Sequence, residues 1–210
     1  DLDYWETSRP LMKDGMLQSK RNSPVNKDVI YLDFRAEVSA FDKIFHFSKE
    51  NLDERKNLLR QRSKYLKRLF NGEPMRFKGT QDNKVGNLEI LSENTVKCIG
   101  KILNKEYTDI RVAEHKLYRN MGTSVYMKNK YEMGYSEANA GSGEIAVVQL
   151  VRRIEKARDY SLVLLDEPEV SLHPGAQENL KEYLLEAIKT KKLQVVISTH
   201  SPTLIKGLPS

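Results

Sequence analysis

Residues 161–168 are SLVLLDEP, an uninterrupted apolar run that ends in two adjacent carboxylates. An apolar run of this length is typical of a strand that is buried on both faces of a parallel sheet. A second run, QVVIS, covers 194–198 and is followed by Thr199 and His200. Between the two runs, Pro174 suits the first turn of a helix that we expect to reach about Lys191. The pattern predicts a parallel, right-handed strand–helix–strand unit, and hence an α/β protein.

The ends of these two predicted strands carry polar residues, and open α/β sheets bind ligands at the carboxyl ends of their strands. Asp166 can hold Mg²⁺ there, because this ion prefers hard oxygen ligands. Glu167 can orient and deprotonate a water for attack on a phosphoryl group. His200 can donate a hydrogen bond to a phosphate oxygen. The plainer alternatives are an Asp-Glu pair that only begins a loop and a histidine that only fills the core or caps a helix.

A glycine-rich turn precedes the helix that we predict over residues 143–158. Its small residues allow close approach of the backbone, and a helix N-terminus offers unpaired N–H groups to an anion. The serine hydroxyl adds one more donor, although it can instead serve as an ordinary N-cap. The residues of this turn, all of them candidates for ligand binding, are Ala140, Gly141, Ser142, Gly143 and Glu144.

Taken in order, the three features resemble the C-terminal half of an ABC-type ATPase. Asp166 follows Glu144 by 22 residues, and His200 follows Asp166 by 34 residues. In this resemblance, the signature motif matches residues 140–144, the Walker B strand matches 162–167, the D-loop matches 170–173, and the switch histidine matches His200.

The resemblance implies ATP and Mg²⁺ as cofactors and a homodimer of cassettes that close head to tail. Asp166 then holds the metal, Glu167 activates the water, and His200 contacts the γ-phosphate. Ser142 and Gly143 act in trans, on ATP that is held by the opposite cassette.

Details of both strand ends are most similar to soluble cassettes of the SMC/Rad50/OLD superfamily. The runs DEPEVSLHP at 166–174 and STHSP at 198–202 resemble AAA-family ATPases of bacterial phage-defence systems, such as the OLD nucleases and, most of all, the Septu-type PtuA ATPases. This implies an ATPase that regulates a nuclease partner or domain. The alternatives are a DNA-repair or chromosome-structure ATPase of the Rad50/RecF kind, and a non-catalytic basic binding module.

The sequence contains no P-loop of the form G-x-x-x-x-G-K-[ST], since Gly100-Lys101 is followed by Ile102. In the family this loop lies N-terminal to the motifs above, and the chain does not begin with Met, so we expect a truncated cassette. Whether the isolated chain is an enzyme therefore stays open. A Q-loop glutamine cannot be chosen among Gln18, Gln61 and Gln81.

Composition separates a basic part from a slightly acidic part. Residues 1–130 contain 26 Lys and Arg against 18 Asp and Glu, whereas residues 131–210 contain 9 against 11. The amphipathic helix predicted over 49–70 carries much of this charge on one face, which can contact nucleic acid or simply face solvent. The basic residues of that face are Arg55, Lys56, Arg60, Arg62, Lys64, Lys67 and Arg68.

We expect three regions: a partial ATPase-core segment at 1–48, a mainly helical basic lobe with a small β part at 49–134, and the ATPase core at 135–210. Further elements are a strand at 29–34, a helix at 88–104, and strands at 110–116 and 123–127 around a turn at 120–122. No apolar run approaches 18 residues, so no membrane span is expected. Cys98 is the only cysteine, which rules out an internal disulfide and makes the cytoplasm the expected compartment.

Overall fold

The computed structural model describes residues 27–37, 39–73, 86–117 and 122–208. The first half of the chain holds β1 (Val29–Asp33), α1 (Ala40–Phe47), α2 (Leu52–Phe70), β2 (Gly86–Ile90), α3 (Glu93–Leu103), β3 (Tyr107–His115) and β4 (Gly122–Asn129). The second half holds β5 (Gly134–Ser136), α4 (Ser142–Lys156), β6 (Leu162–Asp166), α5 (Pro174–Lys191), β7 (Gln194–Ser198) and α6 (Pro202–Ile205).

A three-stranded parallel sheet, in the order β1-β6-β7, contains both predicted apolar runs. Strands β6 and β7 pair in parallel and α5 connects them, which confirms the predicted strand–helix–strand unit. The strand predicted at 29–34 is β1, and it lies on the other side of β6. The protein is therefore a mixed α/β fold built on a parallel sheet.

Helices cover one face of this sheet. Val163 and Leu165 of β6 are buried there in one cluster with Leu180 and Leu184 of α5 and with the apolar side of α4. On the opposite face, Val29, Tyr31 and Val196 are 55%, 57% and 57% exposed. Burial on both faces, as the apolar runs predicted, is therefore wrong for the described part of the chain, because its helices pack on one side.

The second sheet is antiparallel, in the order β2-β3-β4-β5. The strands predicted at 110–116 and 123–127 are the paired β3 and β4. The helix predicted over 88–104 begins only at Glu93, because residues 86–90 pair with β3 as β2. Ser92 marks the change, since its hydroxyl accepts a hydrogen bond from Thr95 N at 3.2 Å as the N-cap of α3. Two residues of the predicted turn at 120–122 lie outside the described residues.

The predicted basic helix is α2, which begins at Leu52. Asn51 caps it: Asn51 Oδ1 accepts from Glu54 N at 2.9 Å, and Glu54 Oε2 accepts from Asn51 N at 3.4 Å. The helix buries Leu66, Leu69 and Phe70 against β3 and the residues that follow it. A short helix that the sequence did not predict, α1, precedes it.

Helix α4 connects the two sheets. Its Arg152 contacts Glu89 and Glu114 of the antiparallel sheet, each at 2.5 Å. Its Arg153 donates to the carbonyl oxygen of Tyr31 in the parallel sheet at 3.1 Å. The boundaries near residues 48 and 134 stay a prediction. Among the described residues, no helix combines the length and the apolar character that crossing a membrane requires.

Candidate active site at the edge of the parallel sheet

The three strands of the parallel sheet end at the same level. Asp33, at the end of β1, is in register with Asp166, which is in register with Ser198 at the end of β7. Neighbouring residues in register on parallel strands direct their side chains to the same face. The fold therefore sets two carboxylates and a hydroxyl in one row at the carboxyl edge of the sheet.

Glu167 turns away from this row. Its φ of +45° lies in the left-handed region, which redirects the chain directly after Asp166. Its N–H donates to the carbonyl oxygen of Ser198 at 2.9 Å, so the bend is fixed to β7. Its side chain is only 13% exposed and forms an ion pair with Arg35 through Oε2. His200 Nε2 lies 3.8 Å from the other carboxylate oxygen, Oε1. The structure thus brings together the predicted base and the predicted switch histidine.

Arg35 is presented by a tight turn after β1. Asp33 Oδ1 accepts hydrogen bonds from Arg35 N at 2.9 Å and from Ala36 N at 3.3 Å. Phe34 N donates to the carbonyl oxygen of Asp166 at 3.2 Å, and the Phe34 side chain is buried. The sequence did not indicate Arg35, because a single basic residue shortly after a predicted strand belongs to no recognisable motif.

Glu169 fixes the backbone of His200, the predicted switch histidine. Its carboxylate accepts from Thr199 Oγ1 at 2.7 Å and from His200 N at 2.6 Å. Burial raises the pKa of Glu169, but these hydrogen bonds outweigh burial and hold the pKa below its usual range. The His200 side chain itself is 88% exposed, so its backbone is held while its ring faces solvent. Sequence reasoning missed this role, although Glu169 stands two residues after Glu167.

The predicted signature segment, residues 140–144, packs against the predicted D-loop, residues 170–173, of the same chain. Ser142 Oγ donates to Ser171 Oγ at 2.8 Å. A Cβ at Gly143 would lie 2.4 Å from the carbonyl oxygen of Ser171, which is closer than atoms can approach. A side chain is therefore excluded at Gly143. Gly141 is the N-cap of α4, and Ala140 precedes it.

Glu144 faces the protein interior. It is buried, and its carboxylate accepts from Tyr107 Oη at 2.5 Å, Tyr135 Oη at 2.9 Å and Gly141 N at 2.9 Å, with Lys105 Nζ at 3.0 Å. Burial raises the pKa of Glu144, but these partners outweigh burial and lower it. Burial, together with the contact with Glu144, raises the pKa of Tyr135 to about 12. The cluster anchors the start of α4 to the antiparallel sheet, and ligand binding by Glu144 stays a prediction.

The edge suits Mg²⁺ only in part. Asp33 and Asp166 offer the hard oxygen ligands that the ion prefers, but the described residues form no cluster of three His, Cys, Asp or Glu side chains that could hold a metal. Mg²⁺ commonly takes one or two carboxylates and completes its shell with water and phosphate oxygens. The residues present therefore fit an ion that arrives with a nucleotide. Of the Q-loop candidates, Gln61 lies exposed on α2, and Gln18 and Gln81 lie outside the described residues.

The sequence comparisons agree with this architecture. The chain belongs to the family described as AAA domain, putative AbiEii toxin, type IV TA system, whose sequence profile matches residues 15–206. Protein ea59 of Escherichia phage lambda is 28% identical over 134 residues, which are 62% of this chain and 23% of that protein. The Old nuclease of Escherichia phage P2 is 25% identical over 142 residues, covering 55% of this chain and 24% of that protein.

These matches span about a quarter of the length of each curated relative. The SMC head domain from Thermotoga maritima aligns with 68% of this chain and 44% of its own, with 16% identity and a TM-score of 0.35. The family and the Old nuclease relative confirm the predicted SMC/Rad50/OLD superfamily of ATPases. The narrower likeness to Septu-type PtuA ATPases stays a prediction.

Proposed function

We propose that the chain carries the hydrolytic edge and the signature segment of a dimeric ABC-type ATPase that regulates a nuclease. The observation that carries the proposal is the meeting of Asp166, Glu167 and His200 at the carboxyl edge of a parallel sheet. The reaction is the hydrolysis of ATP to ADP and phosphate. We also propose that the protein is cytoplasmic, which is consistent with its single cysteine.

Each residue at the edge has its own task in this reaction. Asp166 would hold Mg²⁺, which when bound would supply positive charge next to the phosphate oxygens. Glu167 accepts a proton from the attacking water at a carboxylate oxygen. His200 donates a hydrogen bond to the γ-phosphate, and its exposed ring can reach a ligand outside the sheet. Glu169 keeps the backbone of His200 in place during this contact.

A further segment must supply the phosphate cradle, because the 210-residue sequence has no P-loop. The open face of the parallel sheet supports this part of the proposal. Val29, Tyr31 and Val196 expose more than half of their surface there. In α/β folds, apolar strands of a parallel sheet are usually covered on both faces. The matched relatives are about four times longer than their matched segments. We call the chain together with this P-loop segment the assembled cassette.

The signature segment acts on the opposite cassette of the dimer. The N-terminus of α4 presents unpaired N–H groups, which favour an anion. Gly143 is buried against the D-loop, whereas Ser142 before it is exposed, and the Ser142 hydroxyl can turn from Ser171 toward a phosphate oxygen. Ser142 and Gly143 contact the D-loop, whereas Glu167 contacts Arg35 and His200. Separate binding surfaces of this kind suit a site that is completed in trans.

The link to a nuclease rests on the Old nuclease relative. The alternative of a Rad50/RecF-type repair ATPase is favoured less, because α2 has only 19 residues and no long coiled-coil arm occurs in the described part of the chain. The alternative of a non-catalytic binding module requires that the edge residues do not support hydrolysis.

A second candidate function, nucleic-acid contact, is supported by α2. Its Lys56, Arg60, Lys64 and Arg68 are all exposed and follow one another every four residues, so they form one stripe along the helix. We call these four residues the α2 stripe. A stripe of cations can follow a phosphate backbone, and its binding then weakens steeply with salt. A solvated helix face is the alternative.

The two carboxylates of the assembled cassette can be tested separately. Asp166→Asn should weaken Mg-dependent ATP binding, because it removes a charged oxygen ligand of the ion. Glu167→Gln should keep ATP binding and slow hydrolysis by about 10²- to 10⁴-fold, the range for the loss of a general base. Calorimetry with Mg-ATP and a phosphate-release assay measure the two effects. Hydrolysis by Glu167→Gln at the wild-type rate would refute the proposed function.

A further inference from the structure

Arg35 occupies one oxygen of the carboxylate to which the proposed function assigns the catalytic proton transfer. We propose that Arg35 is a positioning residue that holds Glu167 Oε2, so that Oε1 faces His200 and receives the proton of the attacking water. The inference rests on the proposed function and adds a residue that no sequence motif indicates. Arg35 acts through Glu167 and is not itself assigned a contact with the nucleotide.

The turn that carries Arg35 is fixed at several points. Asp33 holds the backbone N–H groups of Arg35 and Ala36 through its carboxylate. The buried side chain of Phe34 anchors the turn to the core. Glu37, at the far end of the turn, forms an ion pair with Arg153 of α4 at 2.8 Å. The guanidinium is thus presented from a rigid base, although the side chain itself is 63% exposed.

Glu167 needs such a partner. Its side chain is 13% exposed, so little water is available to orient the charged carboxylate. A glutamate side chain has three rotatable bonds, and a base must be held in one direction to meet its water. Arginine suits this task because its planar group donates in fixed directions to a carboxylate.

The two oxygens of Glu167 are occupied differently. Oε2 is bound by Arg35, whereas Oε1 lies 3.8 Å from His200 Nε2, which is longer than a hydrogen bond. Glu169 does not compete with Glu167 Oε1 for the His200 side chain, because the Glu169 carboxylate is bonded to Thr199 and to the backbone of His200. The free oxygen therefore faces the residue that is assigned to the γ-phosphate, where the attacking water must lie.

An ordinary surface ion pair is the competing explanation, since exposed arginines often pair with acids at little gain in stability. The two explanations differ in kinetics. A positioning role lowers kcat and leaves KM unchanged, because the contact serves only the transition state. It also requires Glu167, so the effect should vanish when the carboxylate is absent.

The test uses the assembled cassette with Arg35→Ala, Arg35→Lys and Arg158→Ala. Arg158 is the matched control, because it is also an exposed arginine in an ion pair. Its side chain is 85% exposed and pairs with Asp28 at 3.4 Å, away from the carboxyl edge of the sheet. We expect Arg35→Ala to lower kcat by about 10- to 100-fold, the range for a misplaced catalytic group, with KM within about twofold. Arg35→Lys should restore part of the rate, and Arg158→Ala should match wild type.

A double-mutant cycle completes the test. In the Glu167→Gln background, adding Arg35→Ala should cause no further loss of rate. In the 210-residue chain, Arg35→Ala and Glu167→Gln should shift the urea midpoint non-additively, which reports the contact without any nucleotide.

Three results would overturn the inference: a wild-type kcat for Arg35→Ala, an equal loss in the Glu167→Gln background, or a raised KM alone. If Glu167→Gln is slow while Arg35→Ala is normal, only this inference fails. If Glu167→Gln hydrolyses normally, the proposed function fails as well.

Discussion

Gly143 determines how closely the signature segment approaches the D-loop. The carbonyl oxygen of Ser171 would lie 2.4 Å from a Cβ at this position, and Leu172 Cδ2 would lie 2.9 Å from it. The first contact is with backbone, which cannot rotate away as a side chain can. Ser171 itself has a φ of +62°, so the D-loop is already bent at the point of contact.

We expect Gly143→Ala to lower the free energy of unfolding by about 1–3 kcal/mol, the usual cost of an extra methyl group in a packed site. Gly141→Ala is the matched control. A Cβ there meets only Glu144 Oε2, at 3.7 Å, and the φ of −69° suits any residue, so the change should stay below about 1 kcal/mol. Urea unfolding of the chain measures both. Equal stability of the two variants would show that the contact does not constrain this position.

Sequence patterns identified part of the edge and missed the rest for a physical reason. Asp166, Glu167 and His200 directly follow apolar runs, so local sequence predicts that they stand at strand ends. The partner of Glu167 lies 132 positions earlier in the chain, on the turn after β1, and Arg35 reaches Glu167 only once β1 pairs with β6. No local pattern encodes that pairing.

Helix α4 links the antiparallel sheet to the proposed catalytic edge. Its first turn carries the signature segment, its Glu144 is bonded to Tyr107 and Tyr135, and its Arg152 and Arg153 reach the two sheets. A displacement of the antiparallel sheet would therefore be passed to the start of α4. Helix α4 was predictable because it buries a continuous apolar side, whereas α5 was predicted from Pro174 between two apolar runs.

The element that sequence misjudged is β2. Residues 86–90 adjoin the apolar positions of α3, so periodicity alone extended the helix to residue 88. These residues form a strand because they pair with β3, where each residue of β2 has a partner between Arg111 and His115. Apolar periodicity in the sequence does not predict strand pairing with a distant segment.

The α2 stripe gives a prediction about nucleic acid. Lys56→Glu with Lys64→Glu should weaken retention of DNA in a filter-binding assay at low salt, because the pair reverses two of the four cations. Lys189→Glu with Lys206→Glu changes the net charge equally but lies on exposed positions outside the stripe, so it is the control. Wild-type binding should also fall steeply between two salt concentrations.

If both double variants lose DNA equally, the attraction is one of net charge and the α2 stripe has no special role. If wild type retains no DNA at low salt, the stripe is a solvated helix face.

In the proposed function, the described part of the molecule is one side of an ATP site. It presents an edge with carboxylates and a histidine, a signature segment on a different surface, and an apolar sheet face that stands open in the described residues. The superfamily and the parallel sheet were predictable from the sequence, because the order of three local motifs carries them. The extent of the antiparallel sheet was not, since it depends on pairing between distant segments.

Trapping of a closed dimer tests the central claim most directly. In the assembled cassette, Glu167→Gln should bind Mg-ATP without hydrolysing it, so two cassettes should stay closed with ATP under Ser142 and Gly143 of the opposite chain. Size-exclusion chromatography with Mg-ATP should therefore show more dimer for Glu167→Gln than for wild type. Adding Ser142→Arg should abolish that dimer, because the larger side chain covers the helix N-terminus. A Glu167→Gln protein that elutes as wild type does, and hydrolyses ATP at the same rate, would contradict the account.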